Sequence, residues 1–174
     1  MKVSIKFLFV TFLSLLLFSA CQKDTAFAEE EPIAVTETTK SYANTPTELW
    51  DYFQRFEEEA LLRGERIDLN TRNLTAEIME ITEDGVAGTC SYSSHAPNHI
   101  VIDQSFFNQT SELLKEMVIF HELGHCVLFR GHNEATHANG TCASIMRSGI
   151  EGCRDNYREA TRKTYLDELF AFTL

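Results

Sequence analysis

The segment HELGH, residues 121–125, contains the residue types of a metal-dependent hydrolytic site. On a helix, His121 and His125 lie on one face about one turn apart, so that two imidazoles can bind one zinc ion from the same side. Glu122 lies on the flank, where a carboxylate can take a proton from a zinc-bound water and pass it to a leaving amine. The pentapeptide therefore predicts one catalytic Zn²⁺ ion with Glu122 as the general base.

A tetrahedral catalytic zinc ion needs a third protein ligand, and several candidates follow the pentapeptide. His132 is the nearest and His137 is its close rival. A carboxylate could complete the set instead, from Glu134, Glu151 or Glu159. In a straight helix His132 would lie about 16 Å beyond His121 along the axis, so the chain must leave the helix and fold back. We expect Gly131 to take the left-handed conformation that this reversal needs, which favours His132.

HELGH, the following GH pair at 131–132 and the SIM segment at 144–146 resemble the metzincin clan of zinc endopeptidases. That clan has a third histidine after H-E-x-x-H and, downstream, a tight turn with a methionine beneath the metal, to which Met146 corresponds by type and order. The resemblance covers about residues 45–174. It implies an α+β, zincin-like fold, with a small twisted mixed sheet, a central active-site helix and a helix after the methionine turn.

The chain departs from the metzincin pattern at two points. Leu128 and Gly131 occupy the positions of the clan's glycine and third histidine, so the expected ligand His132 is displaced by one residue. No tyrosine follows the methionine turn at the position where some clan members supply an extra zinc contact. Tyr157 and Tyr165 are the candidates for that contact.

The elements that must position these residues follow from the spacing of apolar side chains. We expect an N-terminal helix ended by Gly64, a central helix over Thr110–Arg130, a loop over 131–154, and a last helix over Asn156–Phe170 with Asp155 as its N-cap. Extended segments are predicted at Arg66–Leu69, Thr75–Ile81, Val86–Tyr92 and 99–103. We expect the strand around Ile100–Asp103 to hold an extended peptide substrate by β-augmentation.

The N-terminus has the pattern of an export signal. Lys2 and Lys6 precede an apolar run of about 12 residues, too short for a membrane span, which needs about 20. The segment FSAC resembles a bacterial lipobox, although an ordinary secretory signal is the alternative. We expect residues 1–20 to be a lipoprotein signal peptide, Cys21 to be lipidated, 21–44 to be a flexible tether and 45–174 to be the metallopeptidase domain.

Four further cysteines in an exported protein predict two disulfides. Cys142 and Cys153 would close a short loop and are the preferred pair, which leaves Cys90 to pair with Cys126. A zinc–thiolate site is the competing interpretation, but the chain has no C-x-x-C pair to favour it.

The net charge of -11 argues against nucleic acid as a partner and against a polybasic membrane surface, since both need clustered Lys and Arg. The sequence thus predicts a monomeric zinc endopeptidase with a peptide or protein substrate. We expect it to be exported and held to a bacterial membrane, the outer one, by its lipid alone, on the periplasmic side or the cell surface. The alternatives are a non-catalytic zinc-containing binding lipoprotein and a zinc hydrolase that acts on non-peptide bonds.

Overall fold

The computed structural model describes residues 40–93, 95–149 and 153–171. The predicted signal peptide, the lipidation site Cys21 and the candidate ligand Glu151 lie outside these residues. Among the helices of the described residues, none combines the length and the apolar character needed to cross a membrane.

A three-stranded sheet forms one layer of this α+β fold. The strands are β1, Leu74–Met79, β2, Gly88–Ser93, and β3, Ala96–Asp103. Their order is β1-β3-β2, with β1 parallel and β2 antiparallel to β3. The predicted substrate-holding strand, Ile100–Asp103, is therefore wrong for that role. It belongs to the central strand, whose backbone groups pair on both sides, and the free edge beside α3 belongs to β2.

Four α-helices of the described residues accompany the sheet. They are α1, Trp50–Leu62, α2, Gln104–Gln109, α3, Glu112–Cys126, and α4, Glu159–Leu169. α1 follows a 3₁₀ turn and ends, as expected, at a glycine in the left-handed region, Gly64 with φ 88°. The extended segment predicted at Arg66–Leu69 is not a strand. The side chain of Asp68 accepts a hydrogen bond from the backbone N–H of Asn70 and so starts a 3₁₀ turn over Leu69–Thr71.

The predicted helix over Thr110–Arg130 is shorter at its C-terminal end. α3 begins after Ser111, whose side chain accepts a hydrogen bond from Leu114 N–H, and it ends at Cys126. The chain then reverses at Phe129, whose φ is 54°, and Arg130 N–H donates back to Gly124 O at 3.0 Å. Gly131 is outside the left-handed region, so the expected role of this glycine in the reversal is wrong.

The last helix begins later than expected. Asn156 N–H and Tyr157 N–H both donate to Cys153 O, which makes a turn in place of the first predicted helical residues. Asp155 is therefore not the N-cap. Arg158 takes that position: its N–H donates to Thr161 Oγ1 at 3.1 Å, and Thr161 N–H donates back to Arg158 O at 2.9 Å.

The segment 40–44 packs on the helical layer. Tyr42 is only 4% exposed, its ring meets Phe53 edge-on, and its hydroxyl donates to Glu57 at 3.0 Å. Lys40 forms ion pairs with Glu57 and Asp68. The packed part of the chain thus already includes these five residues, which the sequence assigned to the tether.

Both predicted disulfides are confirmed. Cys90–Cys126 joins β2 to the end of α3, and Cys142–Cys153 closes the segment that contains Met146. Two disulfides in a chain of this size indicate folding in an oxidising compartment.

Candidate metal centre

Three histidines meet at the C-terminal end of α3. His121 and His125 lie on one face of the helix, and the loop after it brings back His132. Their potential ligand atoms all lie within 4.8 Å of one another, and their ring centroids are separated by 4.6, 5.5 and 4.8 Å. The two helical rings are partly buried, whereas His132 is exposed.

Backbone carbonyl groups orient the two helical rings. His121 Nδ1 lies 2.6 Å from Ile145 O, and His125 Nδ1 lies 2.6 Å from Arg130 O. A carbonyl oxygen only accepts, so both Nδ1 atoms must carry the proton and both Nε2 atoms of the neutral rings present a lone pair. This is the arrangement by which zinc-bound histidines are usually held.

The two Nε2 atoms face each other at a separation of 3.0 Å. Two lone pairs so close repel unless a cation lies with them. A shared proton is disfavoured, because burial lowers the pKa of His121 to about 4 and that of His125 below its ordinary value. Two nitrogen ligands of a tetrahedral zinc ion, each about 2.0–2.1 Å from the metal, lie about 3.4 Å apart. The residues present therefore fit a zinc ion held by nitrogen.

Three of the rival third ligands, Glu134, His137 and Glu159, do not belong to this cluster. Among the described residues the cluster of potential ligands contains only the three histidines. Glu134 is occupied by an ion pair with Arg147 and a hydrogen bond from Ser148 N–H. His137 is exposed in the loop, and Glu159 lines a different cavity.

Glu122 is the buried carboxyl group of the same site. It is 5% exposed and lines a cleft of about 300 Å³ together with the three histidines. Burial raises its pKa to about 8. Gly88 of β2 lies against it, since a Cβ at Gly88 would be 3.0 Å from both Cγ and Oε1 of Glu122. The absence of a side chain at Gly88 leaves the room that this carboxyl occupies.

Met146 packs against α3 at Gly124. It is fully buried, and a Cβ at Gly124 would come within 2.5 Å of its sulfur. Met146 N–H donates to Ser144 Oγ at 2.9 Å, which makes the turn tight. The two candidate tyrosines lie elsewhere, because Tyr157 OH donates to Glu116 and Tyr165 OH donates to Cys142 O.

The sequence did not reveal three parts of this site. β2 and the turn before it line the cleft through residues 85–90, and Arg147 lines it as well. Gly88 carried a usable signal, because a glycine inside a strand often marks a close approach of other atoms. The carbonyls of Arg130 and Ile145 carried none, since every residue has a carbonyl group.

Comparisons of this chain with protein-family models, with curated proteins and with solved structures give no match. The assignment of a function therefore depends on the geometry of the site.

Proposed function

We propose that this chain is a zinc-dependent endopeptidase of the metzincin type. The observation that carries the proposal is the pair of Nε2 lone pairs that face each other at 3.0 Å, with both Nδ1 protons directed to carbonyl groups. A buried carboxyl group in the same cleft and a fully buried methionine beneath the helix support it.

His121, His125 and His132 are the proposed zinc ligands. Bound there, zinc would polarise the carbonyl group of a peptide bond and acidify a bound water molecule. The positive charge of a zinc ion in the same cleft would lower the raised pKa of Glu122 and favour its carboxylate form. As a carboxylate, Glu122 takes a proton from the attacking water and delivers it to the nitrogen of the leaving amine. Because Gly88 has no side chain, the carboxyl group of Glu122 can lie at the wall of the cleft, against β2.

An extended peptide is the substrate that suits this cleft. β2 is an edge strand of the sheet, and its first residues, Gly88 to Cys90, line the cleft beside the histidines. Such an edge offers unpaired backbone groups to which a peptide can add as a further strand. We therefore assign substrate holding to β2 in place of β3.

The decisive experiment compares Glu122→Gln with Glu58→Gln, a matched loss of one charge at an exposed position of α1. We expect both proteins to bind one zinc ion. Glu122→Gln should cleave an unfolded protein substrate at least about a hundredfold more slowly, since a positioned acid–base group contributes about 10²–10⁴. Cleavage by Glu122→Gln at the wild-type rate would refute the proposed mechanism. Stoichiometric zinc without cleavage in the wild type would favour the binding lipoprotein.

We further propose that the protein is exported and lipid-anchored through Cys21. The two disulfides support the exported location. Expression of Cys21→Ser should move the protein from the membrane fraction to the soluble fraction. Retention of this variant in the membrane fraction would contradict the anchor.

A further inference from the structure

One carboxylate of α4 binds two segments that flank the histidine cluster. Glu168 Oε1 accepts a hydrogen bond from the guanidinium of Arg130 at 2.5 Å, and Glu168 Oε2 accepts one from the hydroxyl of Ser144 at 2.6 Å. Arg130 also donates to the backbone carbonyls of Glu168 and Leu169. Asn133 adds a third side-chain contact, from Nδ2 to Glu168 Oε1 at 3.3 Å.

These two segments present the carbonyl groups that orient the zinc-site rings. Arg130 O receives His125 Nδ1, and Ile145, the residue after Ser144, receives His121 Nδ1. Oε1 of Glu168 thus acts on the His125 ring through Arg130. Oε2 acts on the His121 ring through the segment of Ser144 and Ile145. Glu168 and Arg130 are 26% and 23% exposed, so their ion pair is partly shielded from solvent.

We propose that Glu168 is a positioning residue of the metal centre, which fixes both helical histidines in the zinc-binding tautomer and orientation through Arg130 and Ser144. The inference rests on the proposed zinc site. Groups that orient zinc-bound histidines contribute about 10- to 100-fold to metal affinity, and Glu168 acts on two histidines at once. It touches neither zinc nor substrate.

Glu168→Gln is the informative substitution. A carboxylate offers two acceptor oxygens, whereas an amide has one acceptor and one donor group. With its oxygen toward Arg130, the amide can meet Ser144 only by donating to the hydroxyl, so the substitution removes the charge from the Arg130 contact and reverses the Ser144 hydrogen bond. Asp167→Asn is the matched control, because it makes the same charge change at the neighbouring residue. Asp167 pairs with Lys163 and Arg63 instead of with the site.

The measurement is the zinc dissociation constant by competition with a chelating dye. We expect Glu168→Gln to weaken zinc binding about 10- to 100-fold and Asp167→Asn to leave it unchanged. In the metal-free proteins, ¹⁵N chemical shifts of the imidazoles should show a single Nδ1–H tautomer for His121 and His125 in the wild type and a mixture in Glu168→Gln. A merely structural role would lower thermal stability without changing the tautomers.

Wild-type zinc affinity and unchanged tautomers in Glu168→Gln would overturn the proposal while leaving the proposed function intact. A wild-type protein that binds no zinc would overturn both. If Glu168→Gln does not fold, Ser144→Ala decides, since it removes the contact to Oε2, together with the hydrogen bond from Met146 N–H, and leaves the contact of Glu168 with Arg130 in place. Undiminished zinc affinity in that folded variant would overturn the inference.

Discussion

Gly124 lies in the last turn of α3, where a single added methyl group would collide with Met146. A Cβ at this position would lie 2.5 Å from Sδ and 3.0 Å from Cε of Met146, and 3.3 Å from Leu169 Cδ1. Gly→Ala in a helix interior normally stabilises a protein by about 1 kcal/mol. Inserting a methyl group into a packed core costs about 1–3 kcal/mol. Met146 is fully buried and cannot swing into solvent, so the collision should prevail.

We expect Gly124→Ala to lower the free energy of unfolding by about 1 kcal/mol, from a collision of about 2 kcal/mol against a helix gain of about 1 kcal/mol. In a Met146→Ala background the collision is absent. The same substitution should then stabilise the protein by about 1 kcal/mol, so the coupling between the two sites is about 2 kcal/mol.

The assay is urea unfolding of the four proteins of this double-mutant cycle, followed by the fluorescence of the single tryptophan, Trp50. A chelator in every sample removes the contribution of bound metal to stability. The change that Gly124→Ala makes in the free energy of unfolding should have opposite signs in the two backgrounds. An effect of the same sign in both would refute this prediction, because the loss would then not come from contact with Met146.

Two further predictions concern β2 and the ion pairs of the helical layer. Gly88→Ala should reduce peptide cleavage about 10- to 100-fold while zinc content stays at the wild-type level, because the new Cβ displaces Glu122. Ser105→Ala, at an exposed position of α2 that does not line the cleft, is the control, and a loss of zinc from Gly88→Ala would contradict this explanation. Burial raises the pKa of Glu59, but hydrogen bonds from Arg162 and Arg63 outweigh it and hold the pKa below its ordinary value of 4.5. The stability from Glu59 is therefore present above that value and lost as the pH falls through the lower folded pKa. Glu59→Gln should be less stable than wild type at neutral pH and lose less stability between about pH 5 and pH 3, whereas Glu58→Gln should follow the wild type. The measurement is the free energy of unfolding by urea at each pH. An equal loss of this free energy between about pH 5 and pH 3 in Glu59→Gln and wild type would contradict the assignment.

The sequence predicted the α+β class, the order of the principal elements and both disulfides. These depend on local patterns: β-branched residues in β3, apolar spacing in α1 and α3, and the short separation of Cys142 from Cys153. It did not predict the edge strand. The order of strands in a sheet follows from long-range packing, and β3 lies in the centre with Ile100 and Ile102 fully buried.

The chain reversal before His132 was predicted at the wrong residue for a related reason. Glycine is favoured in the left-handed region, so Gly131 was the expected position. The structure uses Phe129 there, although a bulky side chain disfavours that conformation. The bond from Arg130 N–H to Gly124 O and the attachment of the Arg130 side chain to α4 hold the turn at this place. Tertiary contacts here outweigh the local preference.

The sequence by itself determined the chemistry that this site can offer. In any helix, two histidines four residues apart place their imidazoles on one face, and the glutamate after the first places its carboxyl group beside them. This arrangement depends only on local spacing. Only the tertiary structure decided how the rings are oriented. Their partners are the backbone carbonyls of Arg130 and Ile145, which no residue type marks, and the segments that present them bind Glu168 on a helix far along the chain.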